Sequence, residues 1–267
     1  MPDNSNQIRR HIDATSKELE LFVLKLEKIL KGKARKLLAE LTSGDKIVAA
    51  KARDAIAVIA QLDSVLTDAD VHGQLDELRQ IYGKELAMIR QVYFADAALV
   101  AAGAAKFYSG IDADVVETLI KFDVDTMTTM LTRYVDDVRG VLTRAVITGK
   151  VPTFEDAHDG AFSAPQFQTE VQTMFSSFSR AVVGKKAKDL GFELFQYLGP
   201  LDKVTRTFCE DTLKDKDHPG AIYTMDEISD MDNGQLPDVY TTCGGYNCRH
   251  QWRPVSLKTA RELGYLG

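Results

Sequence analysis

Residues 112–148 read DADVVETLIKFDVDTMTTMLTRYVDDVRGVLTRAVIT. Apolar side chains fall at Val116, Leu119, Ile120, Met127, Met130, Leu131, Tyr134, Val138, Val141, Leu142 and Ala145. Steps built from threes and fours draw one stripe along a helix. At 1.5 Å per residue the segment would run roughly 55 Å as one helix. Gly149 and Pro152 supply its stop. The acids at Asp123, Asp125, Asp136 and Asp137 are expected on the solvated side of the stripe.

The surrounding sequence permits more of the same. No proline lies between Pro2 and Pro152, and the other five follow Pro152. Proline breaks helices, so its absence allows long ones. From Ser16 a second stripe runs through Leu19, Phe22, Val23, Leu26, Ile29, Leu30, Leu37, Leu38 and Leu41, with Gly44 as its stop. Helices are expected from Ile47 to about Leu66 and from Leu75 to about Val92, the latter interrupted by Gly83. An alanine-rich, close-packing segment follows at Ala95–Ala105. After a linker at 151–164, Ser163 caps a helix with Pro165 in its first turn. Its stripe is Phe167, Val171, Met174, Phe175, Phe178 and Val182.

Composition sets the class. The chain has 267 residues, 45% hydrophobic and 27% charged, with a net charge of −6. That is the balance of a globular chain with a real core, not of a disordered one. Strong overall basicity, the usual mark of a nucleic-acid coat, is absent. Met1 to Ser16 is polar and lacks the apolar segment of an export signal. The longest apolar run, Ala97–Ala105, falls well short of the roughly 20 residues of a membrane span. Cys209, Cys243 and Cys248 are odd in number, which fits a reducing cytoplasm better than a disulfide framework.

The texture changes after Gly191. Phe192–Tyr197 has strand composition, and Gly199-Pro200 closes it. Asp202 is placed to cap a helix through about Leu213. Thr224 and Glu227 have capping-box spacing. Cys243-Gly244-Gly245 reads as a turn, His250–Val255 as a strand, and Ser256 as the cap of a last helix ending at Gly264. The expectation is a mainly α protein. A helical arm or bundle at 1–150 precedes a small α+β domain at 165–267.

Two segments carry the specific information: Gly199, Asp202, Thr205, Arg206 and Cys209, then Gly245, Tyr246, Asn247, Cys248, Arg249 and His250, followed by Trp252. On one helix, positions 202, 205, 206 and 209 would share a face. Arg206 could then pin a loop carbonyl or a carboxylate. In a strand, Cys248, His250 and Trp252 would point to one side. The segments are therefore suited to dock on each other.

This ordered pair resembles the C-terminal domain of the phage head morphogenesis family, minor head proteins akin to the Mu F protein and the SPP1 minor capsid protein. The resemblance covers roughly residues 165–267. It implies a virion structural protein of a tailed phage, assembled in the host cytoplasm and associated with portal or capsid proteins. It also implies a role in capsid assembly, DNA packaging or ejection, by binding and without catalysis. No membrane partner is implied.

Three readings of the thiols stay open: packed core residues, a Cys209–Cys248 disulfide, and zinc. Cys209, Cys243, Cys248 and His250 have the ligand types of a closed tetrahedral zinc site, and His218 is a possible substitute member. An effector enzyme using Cys248 and His250 would need a group to orient the imidazole, and no Asp or Asn is placed for it. A basic run at Lys25, Lys28, Lys31, Lys33, Arg35 and Lys36 reads as a solvated helix face. Beside packaged DNA it would make non-specific, salt-sensitive phosphate contacts. His11, His72 and His158 stand alone in sequence.

Overall fold

The computed structural model describes residues 5–43, 46–47, 52–93, 113–150, 152–153 and 163–265. Gly44, Ala95–Ala105, His158 and most of the expected linker lie outside them.

Long helices dominate. α1 is Ser5–Leu41, followed by a minimal antiparallel pair, β1 (Thr42–Ser43) and β2 (Lys46–Ile47). Then come α2 (Ala52–Ala60), α3 (Asp63–Leu66) and α4 (Ala69–Met88), whose end widens into a π-turn over Ile89–Tyr93. α5 is Ala113–Thr148 and α6 is Ala164–Asp189. The proline-free span thus contains long helices, but the single helix expected from Ile47 to about Leu66 is not formed: Ile47 belongs to β2, and a turn at Gln61–Leu62 separates α2 from α3. α1 begins about eleven residues before the expected Ser16 (the polar first turns still form helix). Gly83 does not break α4, because an exposed helical glycine costs only about 1 kcal/mol against alanine.

The described residues divide into two compact units: one within Leu19–Gln80 and Phe122–Gln168, the other within Met1–Glu18, Ile81–Lys121 and Thr169–Gly267. The division cuts through α1, α4, α5 and α6. Long helices cross it because a helix hydrophobic along its whole length can serve two cores in succession.

The first unit is helical. Its core takes Phe22, Val23, Leu26, Leu30 and Leu37 from α1, Leu75 and Leu78 from α4, and Met127, Leu131, Tyr134, Val138 and Leu142 from α5. These are the stripe positions, with Ala34, Val124 and Val135 added to them. Tyr134 donates its hydroxyl to the Leu30 carbonyl at 3.5 Å. One expectation fails here. Asp123 is buried at 7% exposure and is not on a solvated face. Asp136 behaves as expected, pairing at the surface with Arg139.

The second unit holds a three-stranded antiparallel sheet in the order β4–β3–β5. β3 is Leu194–Leu198, β4 is Ile222–Thr224 and β5 is Gln251–Val255. Central β3 is buried at every position. Pro254 is tolerated because β5 is an edge strand. Around the sheet lie α7 (Thr207–Lys214), α8 (Met225–Asp230), α9 (Val239–Thr242) and α10 (Leu257–Glu262). The expected capping box forms at Thr224 and Glu227, and Ser256 caps α10.

The sheet's two faces differ. One gathers Leu194, Ile222, Val255 and Ala260. The other is aromatic: Tyr197 packs on Trp252 with centroids 4.4 Å apart, and Phe195 meets Tyr240 edge-on at 5.4 Å. Trp252 anchors that face by donating Nε1–H to the Val239 carbonyl at 3.2 Å.

No helix among the described residues is long and apolar enough to cross a membrane. For the helical unit, Phe22→Ala is expected to lower the unfolding free energy by about 3–5 kcal/mol, since the fully buried ring leaves a cavity. Urea denaturation monitored by circular dichroism checks this.

Candidate functional site

The first expected segment does not form the helix start assigned to it. α7 begins at Thr207, with extended Arg206 at its cap position, so Asp202, Thr205 and Arg206 precede the helix. Asp202 instead orders a turn, accepting from the Val204 amide at 3.1 Å and the Thr205 hydroxyl at 3.2 Å. A side-chain carboxylate offers such a turn a local alternative to helix capping. Positions 202, 205, 206 and 209 therefore share no helix face.

The two segments nevertheless meet. Arg206 donates to the Tyr246 carbonyl at 2.6 Å. Arg249 donates to both Asp202 oxygens, at 2.9 and 2.7 Å. That bond outweighs the opposing effect of burial and holds the Asp202 carboxyl below its ordinary range. Cys209, the one member of the first segment on α7, lies 3.7 Å from Cys248 between sulfurs.

Two glycines fit because no side chain would. A Cβ on Gly199 would lie 2.1 Å from the His250 ring. A Cβ on Gly244 would lie 2.2 Å from Cys209 Sγ. The turn itself is tight: Cys243, Gly245 and Asn247 all have positive φ, of 48°, 88° and 53°. Glycine and asparagine adopt that geometry readily, whereas cysteine is held there by its surroundings.

The group that fixes the turn was not visible in the sequence. Arg180, on α6, is 1% exposed. Its Nε and one terminal nitrogen donate to the His250 carbonyl at 3.1 and 2.7 Å. It also reaches the Cys248 carbonyl at 2.6 Å and the Thr241 carbonyl at 2.8 Å. One planar fork thus satisfies the Cys248 and His250 carbonyls of a turn that lies outside any ladder, together with the Thr241 carbonyl of α9. Burial opposes its charge, but the surrounding ionisable groups Cys243, Cys248, Tyr197 and Tyr93 together hold its pKa above the ordinary value. A clue was present: an arginine beside Phe178, Val182 and Val183, with apolar neighbours on both sides.

The thiols form a buried cluster. Cys209, Cys243 and Cys248 are free, at 1%, 0% and 3% exposure. Tyr197 donates its hydroxyl to Cys209 Sγ at 3.3 Å, and the Gly244 amide donates to Cys248 Sγ at 3.2 Å. His250 Nδ1 stands 3.6 Å from Cys248 Sγ, and its ring stacks on Tyr197 with centroids 5.2 Å apart. Cys248 is shifted strongly toward the thiolate, by hydrogen bonds from Cys209 and Cys243 against the penalty of burial. Cys209 is pushed up by its bond to Cys248 and by burial, and Cys243 chiefly by burial. Cys248 is the sulfur that ionises first.

Ligand atoms of Cys209, Cys248 and His250 lie within 4.8 Å of one another. Cys243 is not part of that converging set, although its thiol adjoins Cys248. His218 is elsewhere, bonded to Asp215 at 2.9 Å and Glu227 at 3.2 Å and stacked on Tyr223. A nucleophile must reach a substrate, yet Cys248 and His250 are each 3% exposed. His250 Nε2 has no hydrogen-bond partner, so no carboxylate orients the ring as a catalytic base.

The basic run divides. Lys25 pairs with Glu77 at 2.6 Å, Lys31 with Glu27 at 2.7 Å, and Lys33 with Asp68. Those pairs offset part of the charge. Lys28, Arg35 and Lys36 are exposed. Nor does His11 stand alone: its Nε2 lies 2.5 Å from Glu85 Oε2, and Ser179 donates to the other Glu85 oxygen at 2.5 Å. Glu85 and Ser179 are both buried. This polar core had no sequence signal, because His11, Glu85 and Ser179 are far apart in the chain.

No family model, curated protein or solved structure matches the chain.

Arg180→Met is expected to destabilise the protein by about 3–5 kcal/mol, because buried carbonyls lose their donor. Arg249→Ala removes a partly exposed ion pair and should cost under about 1 kcal/mol. Chemical denaturation of the two variants side by side tests the contrast. A second expectation concerns pH. Burial disfavours the charged His218 ring, but bonds to Glu227 and Asp215 outweigh it and raise its pKa above 6.5. Glu227 is lowered first by the Thr224 amide, and Asp215 first by the Asp217 amide. The histidine's contribution is full below its unfolded pKa and is lost as pH rises through the raised value. The carboxylates' contribution is present above their unfolded values and is lost as pH falls through the lowered ones. The stability gap between wild type and His218→Gln should therefore be widest between roughly pH 4.5 and 6.5. Melting temperatures of both proteins across pH 3–9 read this out.

Proposed function

We propose that this chain is a minor head protein of a tailed phage, of the head morphogenesis family, acting by binding. The observation that carries the reading is the docking of the two motif segments. Arg206 on the Tyr246 carbonyl and Arg249 on Asp202 join the residues through which the sequence resembles that family. Buried Arg180, Cys209, Cys248 and His250 lock the same segments from inside. Motif residues spent on internal contacts are those of a rigid docking unit.

In this reading the C-terminal part engages portal or inner capsid proteins in the phage head. The long helices offer further faces to partner proteins during assembly, packaging or ejection. Contact with packaged DNA would fall to the basic run of Lys25, Lys28, Lys31, Lys33, Arg35 and Lys36, and it is non-specific because no base-reading motif accompanies them.

Mass spectrometry of purified procapsids and mature virions tests the proposal. The chain is expected in both, and closed ring symmetry at a portal vertex predicts about a dozen copies or fewer. Hundreds of copies would place it in the shell instead. Procapsids and virions that lack the chain entirely would overturn the reading.

A further inference from the structure

We propose that Cys209, Cys248 and His250 hold a structural zinc ion that ties α7 to the turn preceding β5. The proposal is independent of the phage reading and rests on the local geometry.

The spacing of the donors fits the ion. With Zn–S near 2.3 Å and Zn–N near 2.0–2.1 Å, a tetrahedral site puts its sulfurs about 3.8 Å apart and sulfur and nitrogen about 3.6 Å apart. The observed separations are 3.7 Å between Cys209 and Cys248 and 3.6 Å between Cys248 Sγ and His250 Nδ1.

The outer shell adds a second observation. The Tyr197 hydroxyl and the Gly244 amide both donate to the sulfurs. Donors aimed at sulfur are what a bound thiolate needs around it. The charged Arg180 is anchored on the carbonyls of both Cys248 and His250. It would offset the negative charge of two thiolates in a dry interior. Gly244 also leaves both sulfurs room that a Cβ would occupy, at 2.2 Å from Cys209 and 3.2 Å from Cys248.

The imidazole is buried at 3% exposure and turns Nδ1, not Nε2, toward Cys248, so Nδ1 is the nitrogen that would bind the ion.

Thiolate and imidazole ligands favour zinc over the oxygen-seeking magnesium and calcium. Burial of all three ligands marks a structural site, not one open to substrate.

The experiment uses the 267-residue chain, purified without chelator. Elemental analysis is expected to find one zinc per chain. Stripping the zinc and adding cobalt(II) should produce tetrahedral d–d bands and a thiolate charge-transfer band. Chelator should also lower the melting temperature. Cys209→Ser and His250→Ala should lose the metal. Because both substitutions also remove buried core groups, the wild-type measurements carry the decision. Zinc-free protein whose added cobalt keeps the spectrum of the aqueous ion would overturn the proposal. So would a Cys209–Cys248 disulfide in freshly purified protein, seen as a mass loss of two hydrogens.

Discussion

The guanidinium of Arg180 is the constraint on which the C-terminal architecture depends. It occupies the interior and binds three main-chain carbonyls, Thr241 in α9 and Cys248 and His250 in the turn before β5. A turn with three positive-φ residues in a row of five would otherwise bury unpaired acceptors. With the turn fixed, Cys248 and His250 face inward and Trp252 enters β5 beside Tyr197. The aromatic face of the sheet follows from that placement.

Around this centre the polar contacts are graded. Buried bonds set the path of the chain: Arg180 on the turn, Tyr197 on Cys209, Trp252 on Val239. Surface pairs such as Arg249 with Asp202 tie loops whose paths are already fixed. The same division appears near α1 and α4. Buried Glu85 is satisfied by Ser179 and His11, whereas Lys25 and Glu77 form an exposed pair worth little. Burial decides the difference, because an unpaired buried charge costs several kcal/mol and an exposed one costs almost nothing.

The docked segments link structure to the proposed role. A binding protein of an assembled particle needs a surface that holds its shape under load. Here Cys248 and His250 are turned inside and covered, and Gly199 and Gly244 admit the His250 ring and the Cys209 sulfur at distances no side chain permits. What stays exposed, including Leu201, Val204 and Tyr246, lies on the outer side of those same segments.

The sequence by itself determined the elements. Periodicity marked α1, α4, α5 and α6, because each must turn an apolar stripe inward. Capping residues marked the starts of α8 and α10, because a helix start leaves amides that only a nearby side chain can satisfy. The same local logic failed at Asp202, where a turn competed for the carboxylate and won. Only the tertiary structure decided which distant groups meet. Arg180 and the turn are some 60–70 residues apart, and His11 and Glu85 are 74 apart. The convergence of Cys209 with Cys248 and His250 likewise depends on α7 packing beside β3. Spacing along a chain encodes what lies within a turn or two of helix. Contacts across a core depend on how whole elements pack, and no local pattern carries that.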